Sequence, residues 1–317
     1  MKFENKDAKY ECLLLHGLCE HEGRMYDLAK FLQKNGCQVH VPTHLGHGER
    51  GLKIDSFEDI QNFYLNNSED LDLLRHNHVS SELEKEYQQS RETVSMFCHL
   101  EELEADLKEI EAQSNKPIII VGFSMGGLLA LALAERYISD RVSKVLLISP
   151  ALRVNIPKSR GVLKPFSLLA NGALQIFHEM RYKRFPGTRA LGRYLSQTKI
   201  SIPCNEVTPN VCELRREQFI FQNDPLIAKR VPLAYLNAIQ ELMIDLRSKD
   251  MTELNERVDF GVAWSSGDSI VNPKEIKRFS KQYKNKHICI DDYACHDLLR
   301  AQCSERVYKF IEDFVQS

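Results

Sequence analysis

No Cys-x-x-Cys pair occurs in this chain, and its nine cysteines are scattered and odd in number. That argues against a disulfide framework and for a reducing compartment. No apolar run approaches the roughly 18 residues that a membrane-spanning helix needs; the longest is the Leu/Ala stretch after Ser124. No secretory hydrophobic region precedes the first strand, so a cytoplasmic protein is expected. Excess positive charge is missing too. The net charge is −2, which leaves no global field for nucleic acid. Internal repeats and low-complexity tracts are absent. What remains is 317 residues, 43% hydrophobic, enough for one large α/β domain with an insert, or for two domains.

Apolar runs alternate with helical periodicity along most of the chain. Tyr10–Leu15 reads as a strand, Met25–Lys34 as a helix stopped by Asn35-Gly36, and Gln38–Val41 as a second strand closed by Pro42. Over seventy residues separate Gly48 from Gly122. Within them Phe57–Leu65 has helical spacing, Ser68–Ser90 is highly charged and reads as a surface insertion, and Leu100–Ala112 is an amphipathic helix. Strands at Ile118–Val121 and Val142–Ile148 follow. Residues 151 to about 230 break the pattern with six prolines, an apolar segment (Phe166–Phe177) and a basic one (Arg181–Arg193). Alternation returns with a helix at Pro232–Leu246, a strand at Phe260–Ser265, a helix at Pro273–Tyr283, a strand at His287–Ile290 and a helix at Ser304–Val315. The expected architecture is a mostly parallel sheet flanked by helices. Residues 1–150 and 231–317 form the core, and 151–230 an inserted cap.

The chemistry gathers around Gly122-Phe-Ser124-Met-Gly126, placed between the apolar strand and a Leu/Ala helix. A Gly-x-Ser-x-Gly turn there holds its serine in a strained conformation with the hydroxyl clear of the sheet. A serine hydroxyl needs a base, usually His oriented by a carboxylate. In such sheets the partners follow in the order Ser, Asp or Glu, His. Asp268 follows the strand ending at Ser265, and His296 follows the strand ending at Ile290. Rivals exist: Asp291 and Asp292 sit on the histidine's own loop, and His287 opens a strand. Asp297 reads as the cap of a short helical turn. The oxyanion of an acyl-transfer site needs two N–H donors. Met125, after the serine, and Leu18, after the strand ending at His16-Gly17, are the candidates. His16, His21, His44 and His47 lack a carboxylate cluster or a Glu-x-x-His signature and lie beside glycines in loops. They read as loop organisers, so neither a metal nor a cofactor is expected. Cys19 and Cys295 flank the site as small thiols.

Together these stretches resemble the α/β-hydrolase superfamily. Leu-Leu-Leu-His16-Gly17-Leu18-Cys-Glu20-His21, Gly46-His47-Gly48, Gly122-Phe-Ser124-Met-Gly126-Gly127 and Gly267-Asp268-Ser-Ile-Val-Asn-Pro273 look like the monoacylglycerol lipase and bacterial carboxylesterase branch, and His16-Gly-x-x-Glu20-His21 is similar to the loop of monoacylglycerol lipases. Pro232–Arg247 and Ile270-Val-Asn-Pro273 look more like small bacterial carboxylesterases. The resemblance covers about residues 10–56, 97–150 and 230–315. It implies an α/β-hydrolase fold and acyl-ester hydrolysis through an acyl-enzyme, without a cofactor. Ser124, Asp268 and His296 match the triad, and Leu18 and Met125 the oxyanion donors. Thr43 stands where many relatives have Asp, the insertion after residue 56 is longer than usual, and the leading hairpin of larger members is missing.

The cap is expected to set the substrate. Leu163, Phe166, Leu168, Leu169, Leu174 and Phe177 could line an acyl channel or simply pack on the core. Arg181, Lys183, Arg184, Arg189 and Arg193 could touch anionic headgroups transiently at a membrane surface, or be solvated charge. An esterase acting on monoacylglycerol or short to medium acyl esters is the leading expectation. The same triad acting on lysophospholipid, thioester or amide is the second, and a non-catalytic shell the third.

Overall fold

Ile118–Phe123 is buried at every position, which is what a strand covered on both faces requires. In the computed structural model it is β4, the middle of a seven-stranded sheet. The structure describes residues 1–48, 96–137, 139–155, 211–224, 226–292 and 295–317, and a few positions between 180 and 203. The helix expected at Phe57–Leu65, the charged stretch Ser68–Ser90 and the apolar and basic cap residues named above lie outside the described residues.

The sheet order is β1 (Lys2–Phe3), β3 (Cys37–His40), β2 (Tyr10–Leu15), β4, β5 (Val142–Ile148), β8 (Asp259–Ser265), β9 (Asn285–Ile290). All pairings are parallel except β1 with β3. The two-residue β1 is too short to show a period and was not expected. β6 (Ser201–Pro203) and β7 (Arg230–Pro232) pair antiparallel as a separate two-stranded sheet.

Side chains alternate across the sheet as a period of two demands. Leu13, Leu15, Ile118, Ile120, Val145 and Leu147 enter one core, with α2 (Met96–Gln113), α3 (Met125–Arg136), α5 (Leu233–Ser248) and α7 (Pro273–Gln282). Cys12, Leu14, Ile119, Val121, Leu146 and Ile148 enter the other, with α1 (Tyr26–Lys34) and α8 (Ser304–Gln316). α4 (Arg215–Asn223) and α6 (Thr252–Arg257) complete the described helices named here. α6 is short and its sequence, Thr-Glu-Leu-Asn-Glu-Arg, has one buried residue, Leu254, so it lacked a readable apolar face. No helix among the described residues is long and apolar enough to cross a membrane.

Candidate active site

The turn between β4 and α3 is tight enough that only glycine fits on either side of the serine. A Cβ on Gly122 would stand 2.2 Å from the Gly126 carbonyl oxygen, and one on Gly126 2.2 Å from the Leu15 carbonyl oxygen. The second contact also brings the end of β2, and hence the Leu18 loop, against the turn. Ser124 itself has φ 55° and ψ −115°. A side chain in that left-handed region is strained, and it persists only where its surroundings over-determine it. Here Ser124 N–H donates to Ile148 O at 2.9 Å, and its carbonyl accepts from Gly127, Leu128 and Ala151 N–H at 3.0–3.2 Å.

His296 and Asp268 reach the serine from the carboxyl ends of β9 and β8. The Ser124 hydroxyl lies 2.9 Å from His296 Nε2, and His296 Nδ1 lies 2.7 Å from Asp268 Oδ2. Asp268 Oδ1 accepts from the Ile270 and Val271 amides at 2.8 and 3.0 Å, which turns Oδ2 toward the ring. The order of partners puts the ring proton on Nδ1 and leaves Nε2 to accept from the serine. The histidine's backbone is clamped as well. Its N–H donates to Val211 O at 3.1 Å, and its carbonyl accepts from Ser149 Oγ at 2.7 Å. Burial alone would pull the His296 pKa down. The charge of Asp268 and its hydrogen bond, with the charges of Asp297 and Glu20, outweigh that and hold it above the ordinary value.

Met125 follows Ser124 directly, and Leu18 lies in the loop after β2. Met125 opens α3, where the first amides have no acceptor within the helix. Neither amide has a backbone acceptor among the described residues. The Met125 side chain is fixed from behind: Tyr235 Oη donates to its Sδ at 3.6 Å and lies 2.7 Å from His99 Nε2.

The histidines of the two glycine loops hold each other. His44 N–H donates to His16 Nε2 at 3.1 Å, His44 Nε2 lies 3.2 Å from His16 O, and the two rings stand 4.0 Å apart. His21 turns away from them to Asp224, 3.0 Å from its Oδ2.

One part of the site escaped the sequence. Asp297 does open a turn, its carbonyl accepting from the Arg300 amide at 3.4 Å, but its fully buried side chain is engaged elsewhere: Oδ2 meets the Arg300 guanidinium at 2.5 Å and Arg24 at 3.5 Å. Arg24 also meets Glu217 at 3.2 Å and Glu20 at 3.5 Å. Glu20 Oε2 accepts from the Gly17 amide at 3.2 Å. The cluster therefore ties the Leu18 loop to the residue after His296 and to α4. The signal available was the i,i+4 spacing of Glu20 with Arg24 and the i,i+3 spacing of Asp297 with Arg300.

A family model described as the α/β hydrolase fold matches residues 13–299. The chain belongs to the α/β-hydrolase family. Monoglyceride lipase of Rattus norvegicus is 29% identical over 150 residues, which are 47% of this chain and 37% of that protein. The match thus spans little more than a third of the relative's length. Among solved structures, this α/β-hydrolase superposes on a soluble variant of monoglyceride lipase from Saccharomyces cerevisiae with a TM-score of 0.67 at 13% identity, covering 99% of this chain and 90% of the other. Monoacylglycerol lipase of Paleococcus ferrophilus gives 0.64 at 18% identity, covering 99% and 96%. A carboxyl esterase from Bacillus coagulans gives 0.56 at 14%, covering 99% and 93%. At such identities the likeness is one of fold.

Proposed function

We propose that this α/β-hydrolase is a serine hydrolase that cleaves carboxylic acyl esters through an acyl-enzyme, with monoacylglycerols and short to medium acyl esters as its substrate class. The observation that carries the reading is the unbroken hydrogen-bonded line Asp268–His296–Ser124. The partial likeness to a monoglyceride lipase points the same way.

In this mechanism His296 Nε2 takes the Ser124 proton as Oγ attacks the ester carbonyl. Asp268 holds the ring in the Nδ1–H tautomer and stabilises the imidazolium that forms. The Leu18 and Met125 amides receive the oxyanion, at a point where the α3 N-terminus adds favourable dipole. His296 then protonates the leaving alcohol. Water enters, gives its proton to His296 and attacks the acyl-enzyme, and the imidazolium returns that proton to Ser124 as the acid leaves. The reading assigns residues 151–230 to a cap over the acyl pocket, and a cytoplasmic enzyme whose cap touches lipid surfaces transiently.

A p-nitrophenyl ester series on the wild type and Ser124→Ala tests the reaction class. Hydrolysis is expected in the wild type and a loss of several orders of magnitude in the variant. Activity equal in both, or none on any chain length, would refute the esterase. A side-by-side assay of monoacylglycerol and lysophosphatidylcholine assigns the headgroup, and faster cleavage of the phospholipid would move the substrate class to lysophospholipids.

A further inference from the structure

Three ligand-type side chains meet next to the catalytic line without belonging to it. Cys212 and Cys295 are buried, and Glu213 is exposed. The two sulfurs and a Glu213 carboxylate oxygen all lie within 4.8 Å of one another. The two segments are far apart in the chain and are held in register by backbone bonds: the His296 and Asp297 amides both donate to Val211 O, at 3.1 and 2.7 Å.

The arrangement has a direction. The Cys212 thiol lies 3.8 Å from Glu213 Oε2, and Glu213 Oε1 accepts from the Gln302 amide at 2.8 Å. That second bond orients the carboxylate with Oε2 toward the sulfur. The Cys295 thiol meets Val211 O at 3.2 Å and Asp297 O at 3.4 Å. An ordinary buried thiol needs neither a second thiol nor a carboxylate beside it. Two sulfurs and one oxygen within 4.8 Å of one another, with one of the three residues exposed, are the donor set of a borderline-soft divalent ion.

We propose that Cys212, Cys295 and Glu213 bind a thiophilic divalent cation of the zinc class, with water as the fourth ligand on the Glu213 side. With Zn–S near 2.3 Å, two sulfurs on one tetrahedral ion stand about 3.8 Å apart, so the cluster need close by no more than about an ångström. Binding replaces the two thiol protons, which leave to solvent, and gives a dithiolate–carboxylate site. Cys212 follows Val211 and Cys295 precedes His296. The ion therefore adds a clamp between two segments that are already hydrogen-bonded.

The test uses the whole chain, reduced with a non-chelating phosphine, and Cd2+ as a spectroscopic stand-in for Zn2+. One Cd2+ per chain is expected, with a thiolate-to-metal ultraviolet band, release of about two protons per ion, and a Tm that climbs with Cd2+ concentration. Zn2+ in large excess should compete with it for the site. Cys212→Ser and Cys295→Ser should each lose the band, and Cys289→Ser, a partly exposed thiol elsewhere, should keep it. Glu213→Gln should weaken binding about tenfold or more, the 1.4 kcal/mol that one lost ligand easily exceeds. No band in the wild type, or a band that survives both serine variants, would overturn the proposal. If the serine variants do not fold, the surface change Glu213→Gln decides, and unchanged affinity there would overturn it. Ester hydrolysis is not among these readouts, so the outcome is separate from that of the proposed function.

Discussion

His21 and Asp224 form a fully buried pair, with His21 Nε2 3.0 Å from Asp224 Oδ2. His21 Nδ1 accepts from the Gly23 amide at 3.2 Å, so the ring proton sits on Nε2 and is donated to the carboxylate. Asp224 Oδ1 in turn accepts from the Leu226 amide, and Ala228 N–H donates to Cys19 O. The loop that carries Leu18 is therefore stitched to residues 224–228. Asp224→Ala should strand a buried donor and cost about 1–3 kcal/mol, read by urea denaturation. In the same variant kcat should fall more than KM changes if, as proposed, the loop presents the Leu18 amide to the oxyanion. Asp224→Asn keeps an acceptor and should cost less on both measures.

Gly126→Ala tests the close approach that positions the serine. Its Cβ would meet the Leu15 carbonyl oxygen at 2.2 Å and the His16 carbonyl oxygen at 2.6 Å. Both are backbone atoms and cannot swing aside. The cost should reach or exceed the roughly 3 kcal/mol at the top of the usual overpacking range. Gly36→Ala is the contrast. That glycine has φ 87° with nothing within 4 Å of a built Cβ, so only the left-handed backbone is penalised, by roughly 1–2 kcal/mol. Thermal melts of the two variants separate clash from strain.

The centre of the sheet was legible because β2, β4, β5 and β8 are buried on both faces. Such strands read as continuous apolar runs, and Tyr10–Leu15 and Val142–Ile148 lie where those runs predict. The helix expected from Leu100 is already in place at Met96, where the described residues resume, with Met96 and His99 buried along the face that Leu100, Leu103 and Leu107 continue. Ser124, Asp268 and His296 could be picked out because each follows a readable strand. The Glu20–Arg24–Asp297–Arg300–Glu217 cluster could not. Its members come from three distant segments, and charge spacing within one segment does not say which other segment will face it.

Asp268→Asn should leave the fold intact, because the amide oxygen can still accept from Ile270 and Val271. It should nonetheless lower kcat by a factor on the order of 10⁴, by analogy with serine protease triads, since the amide cannot enforce the His296 tautomer. Circular dichroism checks the fold and steady-state kinetics the loss. Near-wild-type kcat would remove Asp268 from the mechanism.

Acid stability should depend on Glu11 and His40, whose side chains meet at 2.8 Å. Burial alone would raise the Glu11 pKa. Hydrogen bonds from His40 and Ser114, the His40 charge and a hydrogen bond from Gln38 more than offset it and lower the pKa below the usual carboxylate value. A depressed folded value stabilises above the unfolded pKa, near 4.3, and that stability fades as pH falls through the folded value. Glu11→Gln should therefore lose stability at neutral pH and show a shallower decline on acidification. Chemical denaturation at a series of pH values reads both.

The most direct test of the central claim is covalent capture by an alkyl fluorophosphonate, followed by intact-mass and peptide mass spectrometry. One adduct per chain is expected, on Ser124, absent in Ser124→Ala and formed far more slowly in a folded His296→Ala variant. An adduct on another residue, or none on a folded wild-type protein, would contradict the assignment of Ser124 as the nucleophile.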